Sequence, residues 1–225
     1  MRYNSFNLIH KALRALLYDT ALTLQQTYFA DIDEADAAID KVETVITQFE
    51  QHAHHEDTFI LPAIAVFNPQ LVADFEKEHV EDNELGNRLN YLLAMFRSLE
   101  TDEERIQCGS AINKAFREFM VFNIEHMAKE EIEINKALWA NYTDLELVQL
   151  SARLTASIPP KEKAFTARWM MRSINKNEAI GWLKAVKENA PDVVFQSLYE
   201  LTETELPEQF RAGVQDAVME QEWAI

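Results

Sequence analysis

Four glycines in 225 residues, set far apart, leave this chain almost nowhere to make the tight reversals that a β-sheet needs. Six prolines add few further breaks. Between them the chain is rich in Ala, Leu, Glu, Lys and Gln, residues that lose little freedom in a helix. An all-α protein is therefore expected. Apolar residues make up 48% of the chain, enough to bury a sizeable core. The length suits one large domain or one domain with a helical extension.

Apolar residues recur at helical spacing in four long runs filling residues 1–141. The first, about residues 4–28, carries Phe6, Ile9, Leu13 and Leu17. The second, about 33–67, contains Pro62, which is expected to kink or end it. Asn68-Pro69, a cap followed by a good first helical residue, opens the third, which runs to about residue 99. Thr101-x-x-Glu104 is a capping box that opens the fourth, reaching about residue 139. Short connections make neighbours antiparallel, so an up-down-up-down four-helix bundle is expected over residues 1–141. Residues 142–225 are expected to form a C-terminal helical region. It starts at the capping box Thr143-x-x-Glu146, breaks at Pro159-Pro160 and continues in segments of roughly 161–174, 176–189, 192–205 and 207–221. Trp169, Met170, Trp182, Leu183, Val186, Phe195, Leu198 and Phe210 are the candidates for a small core there.

Charge narrows the function. A formal net charge of −17 repels phosphate backbones and anionic lipid, which argues against nucleic-acid or membrane binding. No signal peptide or run of about 18 apolar residues is evident. The single cysteine, Cys108, cannot form a disulfide within the chain and suits a reducing cytoplasm. It has no evident activating base among its neighbours, and no glycine-rich phosphate loop occurs.

The histidines are the informative residues. His10 lies in the apolar stripe of the first run. The second stripe reads Val45, Phe49, His52, Glu56, Phe59, Ala63; the third Val72, Phe75, His79, Asp82, Gly86, Leu89; the fourth Phe119, Asn123, His126, Glu130, Ile134, Ala137. Each run thus turns one histidine inward. His52-x-x-x-Glu56 and His126-x-x-x-Glu130 each put an imidazole and a carboxylate on one face, one turn apart. With turns near residues 65–69 and 99–102, His52, His79 and His126 fall at similar heights. Two buried carboxylates need compensation, and divalent cations supply it. The mixed imidazole and carboxylate set suits Fe, Mn or Zn better than Mg or Ca. A satisfied core histidine is the commoner fate of one such residue, but four on four runs are hard to explain that way.

The segments "NLIHKAL", "HAHHEDTFILP", "EKEHVED" and "EHMAKEEIEINKAL" resemble the hemerythrin-like (HHE cation-binding) family over roughly residues 5–140. The resemblance implies a non-heme di-iron centre, cycling between Fe2+ and Fe3+. Glu56 and Glu130 would bridge the irons, His10 and His52 would bind one, and His79 and His126 the other. Glu131 would be a substitute for Glu130. The family's oxygen carriers have a further histidine one turn before the position of His79, where this chain has Phe75. Asp82 and Glu76 are the candidates to fill that gap, and Asn123 and Glu76 to orient the imidazoles. His54 and His55 are expected at or near the surface.

The resemblance implies a protein that binds O2, NO or iron in iron or redox homeostasis or sensing. Two other readings stay open: a di-iron enzyme consuming peroxide or O2, and a metal-free helical adaptor. The pattern fits a ferritin-like oxidase poorly, since of the Glu-x-x-His pairs such sites use only Glu76-x-x-His79 occurs here. The C-terminal region is the expected surface for a homodimer or a protein partner.

Overall fold

The computed structural model describes residues 2–219, which form helices joined by short connections, with no strand among them. The chain divides into two compact units: residues 2–6 with 16–157, and residues 7–15 with 158–219. Helix α1, Asn7–Gln26, is continuous and contributes to both, passing from one to the other at Leu16.

In the first unit, α2 spans Ile32–His55 and starts at Asp31, whose carboxylate accepts the Glu34 N–H. A π-helical turn, Glu56–Ile60, and the short α3, Leu61–Ala65, continue the same rod. Helix α4, Pro69–Phe96, opens on the Asn68 cap, and α5, Asp102–Lys129, on the full Thr101–Glu104 capping box. A second π-helical turn, Glu130–Ile134, leads into α6, Asn135–Asn141. Helix α7, Asp144–Ser157, follows the reciprocal bonds of Thr143 and Glu146.

Cross-helix bonds set the register. On α4 and α5, Glu78 meets Lys129, Asp82 meets Asn123 and Arg88 meets Glu118, so the two run antiparallel. Arg97, just past α4, meets Glu43 midway along α2, while His79 meets Asp57 beyond its end, so this pair is antiparallel too. Lys41 on α2 reaches back to Asp19 and Thr23 on α1.

Burial follows layers. Val42, Val45 and Phe49 of α2 pack at the levels of Leu89 and Leu93 of α4 and Ile112, Phe116 and Phe119 of α5. A second apolar cluster gathers Phe6, Ile60, Ile64, Phe75, Leu138 and Leu147. Between these blocks lies a polar layer containing Glu56, His79, Asp82, Asn123, His126 and Glu130, all buried.

Pro62 does not end the second rod. The π turn lies before it, and the helix runs on to Ala65. Because a π turn holds an extra residue, it shifts the inward face by one position. The deepest residues below Glu56 are Ile60, Leu61 and Ile64 rather than Phe59 and Ala63, which are half-buried. After Glu130, Ile134 stays on the expected face, and the same shift then buries Leu138 and leaves Ala137 half-buried.

The second unit contains residues 7–15 of α1 with α8 (Pro160–Ser173), α9 (Lys176–Asn189), α10 (Asp192–Thr204) and α11 (Glu208–Met219). Its core is centred on Met171, Ala179, Leu183, Phe195, Val214 and Val218. The inward face of α8 is that of Met171; Trp169 and Met170 are only half-buried, and Trp169 carries the Arg172 guanidinium over its ring at 4.8 Å. Residues 220 and 221 of the last expected segment lie outside the described residues. No helix here is long and apolar enough to cross a membrane.

Candidate metal centre

Two stretches of the same form build the centre. In each, a histidine is followed four residues later by a glutamate that begins a π-helical turn: His52 to Glu56 and His126 to Glu130. Only the first is followed by a proline, so the proline is not what the two turns share. Such turns are frequent at functional sites.

The side chains converge in two groups of four. In one, a donor atom from each of Glu56, His79, His126 and Glu130 lies within 4.8 Å of every other. The other joins His10, His52, Glu56 and Glu130 under the same limit. The two glutamates belong to both. His52 is half-buried and the other five are buried.

The imidazoles have distinct inner and outer sides. Inward, His126 Nε2 is 3.1 Å from Glu130 Oε1, His52 Nε2 3.2 Å from Glu56 Oε1 and His79 Nε2 3.4 Å from Glu56 Oε2. Outward, His79 Nδ1 lies 2.7 Å from Asp57 Oδ1, and His126 Nδ1 lies 2.8 Å from Glu78 Oε2. A carboxylate only accepts, so each outer nitrogen carries a hydrogen, and the inner nitrogen is the one left to give a lone pair to a cation that displaces its proton. Glu78 also accepts from Lys129 Nζ at 2.6 Å.

Charge at this layer is under strain. Glu56 is pushed well above the ordinary carboxylate range, first by burial and then by the adjacent Glu130. Burial acts to lower His126, but Glu130 and Glu78 outweigh it and raise the imidazole to about 9. Burial raises Asp82, although Asn123 Nδ2 donates to it at 2.6 Å. For Glu78 burial is again the opposing influence; the bonds from His126 and Lys129 prevail and lower its carboxyl.

This donor set fits a cation. Adjacent ligands with metal bonds of about 2.1 Å stand roughly 3.0 Å apart in octahedral and roughly 3.4 Å apart in tetrahedral geometry. The inner contacts span that interval, while the outer bonds have ordinary hydrogen-bond lengths. Two facing carboxylates would receive from a cation the charge balance that Glu56 now draws from a proton. Metal-binding histidines characteristically give their other N–H to a carboxylate, as His79 and His126 do.

All six main candidates, His10, His52, Glu56, His79, His126 and Glu130, enter the two groups. Glu76 is exposed and lies outside both groups. Glu131 is half-buried and Asp82 buried, and both are also outside the groups. Asn123 binds Asp82 and the Phe119 carbonyl instead of an imidazole. Phe75 sets its ring edge-on to His126 at 5.6 Å, and Phe122 stacks on the same imidazole at 6.0 Å. His54 is exposed and His55 half-buried.

Asp57 and Glu78 escape the periodicity argument because each lies one residue from a candidate ligand, on a flank of its helix. Their signal is acidity beside a ligand, legible only once the antiparallel register shows which imidazole they face.

A family model described as the Hemerythrin HHE cation binding domain matches residues 2–138. No curated protein and no solved structure matches the chain.

Proposed function

The chain belongs to the hemerythrin HHE cation-binding family, and we propose that it is a non-heme di-iron protein that binds O2 or NO, or handles iron itself, in iron or redox homeostasis or sensing. In this reading residues 1–141 form an up-down-up-down four-helix bundle around the metals, and residues 142–225 are an appended helical region. The observation that carries the reading is the sidedness of His79 and His126: Nδ1 outward on carboxylates, Nε2 inward toward buried Glu56 and Glu130.

His10 and His52 would hold one ion, His79 and His126 the other, and Glu56 and Glu130 both. Two irons, when bound, supply redox activity and coordination positions for a diatomic molecule. The protein's own contribution is positioning and shielding. Asp57 and Glu78 hold imidazoles in the ligating tautomer. Phe75 and Phe122 wall His126 and exclude water from its side of the layer. Phe75 donates no electron pair, so the ion held by His79 and His126 has one protein ligand fewer than in the family's oxygen carriers. That favours reactivity, exchange or sensing over storage. A cytoplasmic location is part of the reading and rests on the single cysteine.

The test is metal analysis of the full chain purified from its native host, with the visible spectrum recorded before and after air. Two irons per chain and oxo-to-iron charge-transfer bands after oxidation are expected, and His126→Ala or Glu130→Ala should lose the metal. One zinc in a colourless protein, or two manganese ions, would displace iron from the reading. Metal-free protein that takes up no Fe2+ would end it.

A further inference from the structure

We propose that Glu78, clamped by Lys129, is a positioning residue for the centre, setting the orientation and donor strength of His126 from outside the ligand set. The inference rests on the metal-binding reading above. Both oxygens of Glu78 are engaged: Oε2 with His126 Nδ1 at 2.8 Å and Oε1 with Lys129 Nζ at 2.6 Å. The three side chains join α4 to α5, and Lys129 stands one turn after the histidine it serves through Glu78. The Glu78 side chain is 23% exposed, against 47% for Asp57, which plays the corresponding part for His79. The bond at Glu78 therefore lies in the lower dielectric and acts more strongly.

The ring of His126 is held from several sides. Phe122 stacks on it with planes 10° apart, Phe75 meets it edge-on, and the His79 ring centre is 5.1 Å away. Given that packing, the Nδ1–H bond fixes the ring, so that Nε2 faces Glu130 and is the nitrogen that would give its lone pair to a cation. A carboxylate on Nδ1–H also pushes electron density onto Nε2 and strengthens it as a ligand. Lys129 opposes that push by drawing on the same carboxylate. Glu78 and Lys129 thus act on His126 with opposite signs, although they form one ion pair.

The opposition is testable in the full chain with Co2+, whose visible bands report its ligands, and with chelator competition for affinity. Glu78→Ala removes acceptor and charge; Glu78→Gln keeps an acceptor oxygen and loses the charge; Lys129→Met removes the opposing cation. Glu78→Ala should weaken Co2+ binding about 10–100-fold and shift the bands. Glu78→Gln should do the same to a smaller degree, and Asp57→Asn less than Glu78→Gln. Lys129→Met should leave affinity unchanged or raise it, with the bands moving the other way. Equal losses in Glu78→Ala and Lys129→Met, tracking a shared fall in the melting temperature of the metal-free chain, would reduce the pair to a structural salt bridge and overturn the proposal. So would a Glu78→Ala variant that binds Co2+ like the parent. A parent chain that takes up neither Co2+ nor Fe2+ would overturn the metal reading itself.

Discussion

Glu56 and Glu130 face each other where water is excluded, and the metal-free chain meets that burden by holding protons. Glu56 titrates above its unfolded value, so between the two values the native state keeps a proton that the unfolded chain has lost. Stability then falls as pH rises through that window. His126 adds to the trend: its contribution is complete below 6.5 and lost as pH climbs through about 9. The melting temperature of the metal-free protein should therefore drop between those values. A bound divalent cation competes with the same protons, so the stabilisation that it gives should grow over the same range. Glu56→Gln should stabilise the metal-free chain at neutral pH by about 0.5–2 kcal/mol, as is common when a functional site's strain is relieved, while lowering metal content. Calorimetry with and without Fe2+ checks both; a Gln variant that melts lower yet binds a full complement of metal would contradict the account.

At the scale of the helix, the sequence carried the pattern up to Glu56 on one rod and Ile134 on the other and lost it at the next inward position. Caps at Asn68, Thr101 and Thr143 are local chemistry and read directly from residue types. His52, Glu56, His126 and Glu130 were legible because they lie before or at the start of the π turns, where the 3.6-residue period still holds, and His10 and His79 because their helices have no such turn. Ile60, Ile64 and Leu138 were not, because the turn resets the phase and nothing in composition marks it. Two glycines illustrate the same limit. A Cβ at Gly109 would stand 2.1–2.6 Å from ring atoms of Phe29, a rigid side chain that is itself buried against Phe96. A Cβ at Gly86 would meet Ile46 at an ordinary 3.4 Å. Alanine gains about 1 kcal/mol of helix propensity at either place. Overpacking of about 1–3 kcal/mol should outweigh that gain in Gly109→Ala. Gly86→Ala should be neutral or stabilising. Denaturant titrations of the two variants should move in those different directions.

On the scale of the whole molecule, each unit has a core of its own. In the second unit, Glu178 is the joint: Oε1 accepts from Lys11 and Asn7 of α1, and Oε2 from the Asn175 N–H that opens α9. Glu178→Ala should cost that unit about 1–2 kcal/mol through the lost cap and bonds, seen as an earlier thermal transition. In the first unit, the ligand layer separates two apolar blocks. Asp57, Thr58, Ile132 and Glu133, in the π turns at that layer, face solvent. Without a bound cation, the first unit should accordingly give way at this layer before its ends loosen. Brief digestion with an acid-directed protease would then nick near residues 56–60 and 130–134 first, and restoring the cation would close both wounds.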